Sequence, residues 1–426
     1  MGRLPDFIFR KRLTECIRQE LLVVRMKTIN ISEFRDAQEA LKSRDLAQAL
    51  YEKGGVVMED VLISLHGAEH QKRRATEFAV FGRGFFRYYE QEVFPPTLAQ
   101  TIAPYLKKGE ADLVEFGYRV TMNLTADFAG IDRPRQDTEE TERLLRLVKS
   151  FSEGATLVHS KRDHAEVRAE VRAALEEFDE AFLKLSRERR MALVEGFERG
   201  EIEESELPRD VMTILLKNRE KLQLPEDVFR REVAFYLQAG AHSTANSTTH
   251  AMHEILTWCA DHPGARSKLE ADTAFLQRCV HESLRLHPAS PVAWRRAICQ
   301  ATLRNHGEID NGDHVIIDLH EANRDRSIFG DDADVFNPYR ELPHTIWPFG
   351  LTFGYGMHAC MGRDLDGGVV PKDGAPPEKR QLGIVALLVE ELLQHGAQLD
   401  PERPPVADTR TERNNWAKYP IVFDRS

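Results

Sequence analysis

Residues 353–362 read FGYGMHACMG, and no other stretch limits what this chain can fold into so tightly. Its glycines, Gly354, Gly356 and Gly362, permit sharp turns and let backbone approach a flat ligand that side chains would hold off. A free cysteine is usually a small buried hydrophobe, but Cys360 stands in unusual company. The residues after it, 361–366, can start a helix whose free N–H groups and dipole favour a thiolate. A thiolate held this way can serve as an iron ligand. His358, two residues earlier, is placed to donate to an anionic group at the edge of the same ligand.

Composition narrows the classes around that site. Lys and Arg number 58 against 69 Asp and Glu, a net charge of −11, and 42% of the chain is apolar. Such a chain can bury a sizeable core and is not a disordered tail. It carries no overall basic field for nucleic acid or anionic lipid. Cys16, Cys259, Cys279, Cys299 and Cys360 lack the Cys-x-x-Cys spacing of a zinc site or the even count of a disulfide framework. No run approaches the roughly 18 to 20 apolar residues of a membrane span. The N-terminal residues, with Arg3, Arg10, Lys11, Arg12, Arg18 and Arg25, hold no signal-peptide core. A cytoplasmic protein with no membrane attachment is expected.

Helical periodicity dominates the rest. Val167, Val171, Leu175, Phe178, Phe182 and Leu185 recur at three- and four-residue spacing, and 32–50, 227–260, 271–286 and 381–396 also read as helices, the last stopped by Gly396. The clearest strands are 315–319 and 420–423. The fold class is therefore mainly α with minor β. Residues 367–379, GGVVPKDGAPPEK, must form a loop or turn cluster.

The pattern Phe-Gly-x-Gly-x-His-x-Cys-x-Gly, complete at 353–362, resembles the haem-binding signature of the cytochrome P-450 family. Glu282 and Arg285 are similar to the family's Glu-x-x-Arg pair, followed by Pro288 and by Trp294, Arg295, Arg296 and Ala297. With Arg340, in the 336–340 stretch, the resemblance makes them the lock of the core on the Cys side of the haem. His70 and Arg74, one turn apart on a helix, match the family's His-x-x-x-Arg pair for haem propionates. Arg295 resembles a further propionate ligand, with Arg296 its nearest rival. The matches run from about 34 to 423. They imply the family's helical bundle around haem b with small β-sheets, in one catalytic domain over 31–426. Residues 1–30 stay outside the match, and 367–379 is an insertion in a helix that normally runs on from the Cys. Phe353, Gly354, His358, Cys360 and Gly362 are the implied haem contacts, with Cys360 the iron ligand.

The chain departs from the family where an acid and an alcohol normally relay protons. Here the sequence is Ala239, Gly240, Ala241, His242, Ser243, Thr244. Gly240 costs about 1 kcal/mol in a helix interior, which is sensible if dioxygen and haem need that space. Ser243 keeps the hydroxyl, Thr244 can substitute for it, and His242 takes the acid's place as a candidate proton shuttle. The alternative is that His242 turns away and bonds a neighbour. The resemblance implies a soluble, bacterial-type monooxygenase that inserts one oxygen atom of O2 into a small organic substrate held near 50–68 and 145–190. Electrons would come from a separate ferredoxin and its reductase, docking at Lys72, Arg73 and Arg363. Other haem-thiolate chemistry (peroxide-driven oxidation, coupling or nitration) and a non-catalytic haem sensor stay open.

Overall fold

A computed structural model describes residues 26–370 and 380–424. Most of 1–30, and residues 371–379 of the 367–379 stretch, lie outside the described residues. Several helices begin at an aspartate. Asp112, Asp137, Asp163 and Asp272 each accept a hydrogen bond from a first-turn backbone N–H, satisfying donors that a helix start leaves open.

The helix Glu226–Asp261, 36 residues long, is the axis of the molecule. It shows no single apolar stripe because it is surrounded: Leu113–Ala129, Thr273–Leu286 and Ile384–Gln394 all pack on it. A Cβ on Gly117 would lie 3.3 Å from the Ala245 Cα, so the first of these helices comes very close. Val233, Leu237, Ala241 and Met252 from the axis join Phe116, Val120 and Leu388 in the main core.

The expected helices at 227–260 and 271–286 are present as Glu226–Asp261 and Thr273–Leu286. The run from Val167 lies on His164–Phe178, which passes through a wider turn, Asp179–Leu183, into Lys184–Glu198. The expected helix 32–50 stops early, at Phe34–Lys42, and Leu46–Gln48 is instead a strand paired with Val292–Ala297. The ladder to a distant strand overrides local periodicity there. The helix expected at 381–396 begins only at Ile384, after Gly383 with φ of +89°.

The largest sheet has the order Thr28–Ile31, His314–Asp318, Val292–Ala297, Leu46–Gln48. Strand alternation on Val292–Ala297 separates the two rival arginines: Arg295 points inward, and Arg296 faces out to pair with Glu52 at 2.9 Å. Pro420–Val422 is the middle strand of another sheet. The hairpin of Val406–Ala407 and Trp416–Lys418 is held at its tip: the Lys161 N–H donates to the Arg410 carbonyl and the Glu412 N–H to that of His159.

After the cysteine only one helical turn forms, Arg363–Asp366. Gly368, with φ of +74°, turns the chain away. The Val369 N–H donates to the Gln381 carbonyl at 2.9 Å, and Gln277 Nε2 donates to the carbonyls of Gln381 and Leu382 at 2.9 and 3.0 Å. The 367–379 stretch thus leaves and returns at one point on Thr273–Leu286. Among the described residues no helix is long and apolar enough to cross a membrane.

Candidate active site

The glycines of the 353–362 loop do different jobs. Gly354 and Gly356 have φ of +67° and +70°, and a Cβ on Gly356 would sit 2.6 Å from the Leu41 carbonyl oxygen. Gly356 therefore serves packing against Phe34–Lys42 rather than room for a ligand. Gly362 does adjoin the sulfur, since a Cβ there would lie 3.9 Å from Cys360 Sγ. The Cys360 N–H donates back to the Phe353 carbonyl at 2.8 Å, closing the loop. The Phe353 ring stands edge-on to Phe349, 5.0 Å between centroids.

Cys360 is enclosed by protein yet keeps accessible surface, because that surface faces an internal cavity between the loop and the long helix. Burial first, and Asp366 second, push its thiol up to about 11, against the Gly362 N–H and the charges of Arg74 and Arg363. A single helical turn is too weak to hold the thiolate that the sequence leads one to expect. A metal cation at the sulfur would supply the missing charge, because thiols that coordinate one lose their proton.

Beside the sulfur lies a cradle of cations and imidazoles. His70 packs its ring 4.6 Å from that of His358, Arg74 Nη2 donates to the Ala359 carbonyl at 2.7 Å, and Arg295 Nη1 donates to Gln48 Oε1 at 2.9 Å. Both ring nitrogens of His70 and of His358 are buried without a partner. Burial, Arg74 and His66 bring His70 down to about 4; burial and Arg295 lead the causes that bring His358 to about 3. Arg295 itself is lowered to about 10 by burial. Each neutral ring carries one N–H, and a buried donor without an acceptor is costly; a carboxylate would satisfy it. The donor set of His70, Arg74, Arg295 and His358, converging on one wall of the cavity, therefore fits the paired carboxylates of a haem.

On the Cys side, Arg285 grips Glu282 through Nε and Nη2 at 2.8 and 2.7 Å. Its Nη1 donates to the carbonyls of Asn323 and Ala333 at 2.6 and 2.7 Å. Arg340 Nε adds a bond to Glu282 at 3.1 Å. Asn323 carries the lock onward: its side chain bonds the Arg285 carbonyl, Thr352 Oγ1 and the Leu351 N–H, immediately before Phe353.

Across the cavity, His242 is braced. Arg413 Nη1 donates to its Nε2 at 2.7 Å, so Nδ1 carries the proton and donates to the Tyr118 hydroxyl. Burial, then Arg413, lowers His242 to about 3, so the ring is neutral and already engaged at both nitrogens. Ser243 Oγ donates to the Ala239 carbonyl at 2.6 Å. Thr244 Oγ1 donates to Asp366 Oδ1 at 2.5 Å, and burial pushes that carboxyl up to about 6. Gly240 lines the cavity, but its missing side chain clears Thr125, whose Cγ2 would be 2.5 Å from a Cβ. The packing of two helices, not a ligand, accounts for that glycine.

Tyr118, Asp366 and Arg413 had no sequence signal, since no motif or periodicity ties 118 or 413 to 242. Arg73, expected at a docking surface, is buried: its Nη2 donates to Glu232 Oε2 at 3.1 Å. Lys72 is exposed, and Arg363 bonds Asp364 at 2.8 Å while covering the Trp347 ring.

The family model for Cytochrome P450 matches residues 138–365. The chain is similar to Pulcherriminic acid synthase of Bacillus subtilis (strain 168), 25% identical over 347 residues, 78% of this chain and 77% of that one. It is also similar to the Biotin biosynthesis cytochrome P450 of the same organism, 32% identical over 163 residues, 37% of each chain. Its fold is that of the crystal structure of CalO2, with a TM-score of 0.69 at 20% identity over 93% of this chain and 90% of that one.

Proposed function

This chain belongs to the cytochrome P450 family, and on that premise we propose that it is a haem-thiolate monooxygenase, inserting one oxygen atom of O2 into a small, largely apolar organic molecule. The observation that carries the reading is Cys360 in the cavity wall beside a cradle of donors that lacks an anion of its own. Cys360 would ligate the iron of haem b, and His70, Arg74, Arg295 and His358 would hold its carboxylates. When bound, that group supplies the oxidising chemistry, with the thiolate pushing electron density toward O–O cleavage.

The chain's own groups bind substrate and move protons. Ser243 spends its proton on the Ala239 carbonyl and keeps its oxygen free to accept. Thr244 is tied to Asp366, a carboxyl that changes charge near neutrality. Hydroxyl and acid therefore both stand at the cavity, but the acid comes from the turn after the cysteine rather than from position 242. Electrons arrive from a ferredoxin and its reductase, with Lys72 as a docking cation in place of Arg73.

The purified protein should contain haem and, when reduced under carbon monoxide, show the long-wavelength band of thiolate ligation; Cys360→Ser should abolish that band. A Cys360→Ser protein with an unchanged spectrum would overturn the reading. The bracing of His242 favours one second reading, in which hydrogen peroxide supplies oxygen and electrons together. Turnover with peroxide alone, matching that with reductant and O2, would select it.

A further inference from the structure

Buried arginines in this protein normally carry their own carboxylate. Arg73 meets Glu232 at 3.1 Å, Arg190 meets Asp210 at 2.7 Å and Arg285 meets Glu282 at 2.7 Å. Two buried arginines have no ion pair among the described residues, and both line the cavity: Arg295 and Arg413. Arg295 belongs to the cradle that fits the haem carboxylates. Arg413 is set apart by its bond: its Nη1 is given to His242 on the long helix, beside Tyr118 and His159, while it shares Tyr51 with Arg295.

Its guanidinium is fixed and half used. Nη1 donates to His242 Nε2 at 2.7 Å, Nε is buried without a partner, and Nη2 makes no hydrogen bond to the described residues. The free edge is therefore Nε with Nη2, two parallel N–H directions. That is the edge with which Arg285 grips Glu282, and it matches a carboxylate bidentately. A buried cation without a counter-ion is costly, and the loop that carries this one is tied down by the Lys161 and Glu412 backbone bonds. The cavity that Arg413 lines also has apolar side chains in its wall, among them Leu50, Met58, Leu62, Phe81 and Phe128.

We propose that Arg413, set in place by His242 and Tyr118, is the anchor for a substrate carboxylate, so that this enzyme takes a carboxylic acid with an apolar body. The inference rests on the monooxygenase reading and names its substrate class. A site built around an unpaired cation rejects an analogue lacking the matching charge far more strongly than a greasy pocket rejects an extra methylene.

The test titrates the haem-loaded enzyme with straight-chain alkanoic acids from octanoic to tetradecanoic, each beside its methyl ester, following the shift of the ferric haem toward high spin. At least one acid should bind ten times or more tightly than its ester. Arg413→Gln should remove that preference while leaving ester binding, haem content and the carbon monoxide spectrum unchanged, and Arg413→Lys should restore part of it. Equal binding within every pair, no shift from any acid, or a preference that survives Arg413→Gln overturns the proposal. Loss of haem in both variants, with the preference intact in whatever remains loaded, would instead make Arg413 a further contact to the haem carboxylates and also overturn it. The wild-type comparison needs no variant to fold. A normal thiolate spectrum with no acid preference sinks this inference alone, whereas an absent thiolate spectrum sinks the monooxygenase reading.

Discussion

The two sides of the cavity treat buried charge in opposite ways. Below it, Glu282 is matched by Arg285 and Arg340 and also accepts the Asn337 N–H, so this cluster is neutralised from within. Around and across it, Arg295, Arg413, His70 and His358 present donors for which the described residues offer no carboxylate. A closed cluster holds a fold together and needs nothing from outside. An open one costs stability until an anion enters, and so marks where ligands belong.

Breaking the closed cluster should have the largest effect. Glu282→Ala or Arg285→Ala strands a buried partner charge at a cost of about 3–5 kcal/mol, and should yield little folded, haem-loaded protein. Normal expression with a full haem-to-protein ratio in both variants would mean that the Cys side is no lock.

On the open side, the next largest effect falls on proton delivery. Ser243→Ala combined with Thr244→Val should keep haem but form product on the order of 100-fold more slowly, with electrons diverted into hydrogen peroxide. His242→Ala should loosen Arg413 and weaken the binding of an acid substrate, but with substrate saturating it should couple nearly as well as wild type, since its ring is neutral and braced. Product per reducing equivalent measures both, and severe uncoupling in the His242 variant would return that residue to the relay.

Asp366 sharpens the comparison through pH. Its carboxyl is raised from 3.8 to about 6 by burial, so the folded state holds the proton more tightly than the unfolded chain. The resulting stability is fully present below the unfolded value and is lost as pH rises through about 6. Relative to Asp366→Asn, the wild type should lose up to ~2–3 kcal/mol between about pH 4 and pH 7. Parallel Tm profiles for the two proteins would show that the acid is not desolvated.

The smallest effect separates packing from ligand space at Gly240. Gly240→Ala gains about 1 kcal/mol of helix propensity but meets Thr125 Cγ2 at 2.5 Å, and overpacking costs about 1–3 kcal/mol. The net loss should be about 1 kcal/mol and should vanish when Thr125→Ser removes the opposing methyl. A Gly240→Ala protein of normal Tm whose spin-state shift is blocked would give the space back to the ligand.

Residues that act through local spacing are legible in the amino-acid order. The 353–362 loop, the Glu282–Arg285 turn and the His70–Arg74 turn each place their groups within one helical turn or one tight loop, where geometry follows from neighbours in the chain. Arg295 against Arg296 needs one more fact, the strand alternation of Val292–Ala297. Leu46–Gln48 reads as helix but is strand because its ladder partner lies far away in the chain, and Thr28–Ile31 carries no signal because its own partner is His314–Asp318.

What the amino-acid order determined alone is the glycine-rich cysteine loop, the helical character and the ion-pair lock, because short-range spacing and the bonding demands of Cys, Arg and Glu suffice for those. Only the tertiary structure decided what surrounds the altered 239–244 stretch. It brings Arg413 from a C-terminal hairpin onto His242, Asp366 from beyond the cysteine onto Thr244, and Thr125 against Gly240. Each of these contacts joins segments more than a hundred residues apart, and the side-chain pairing across them depends on how helices and loops stack rather than on any pattern in the chain.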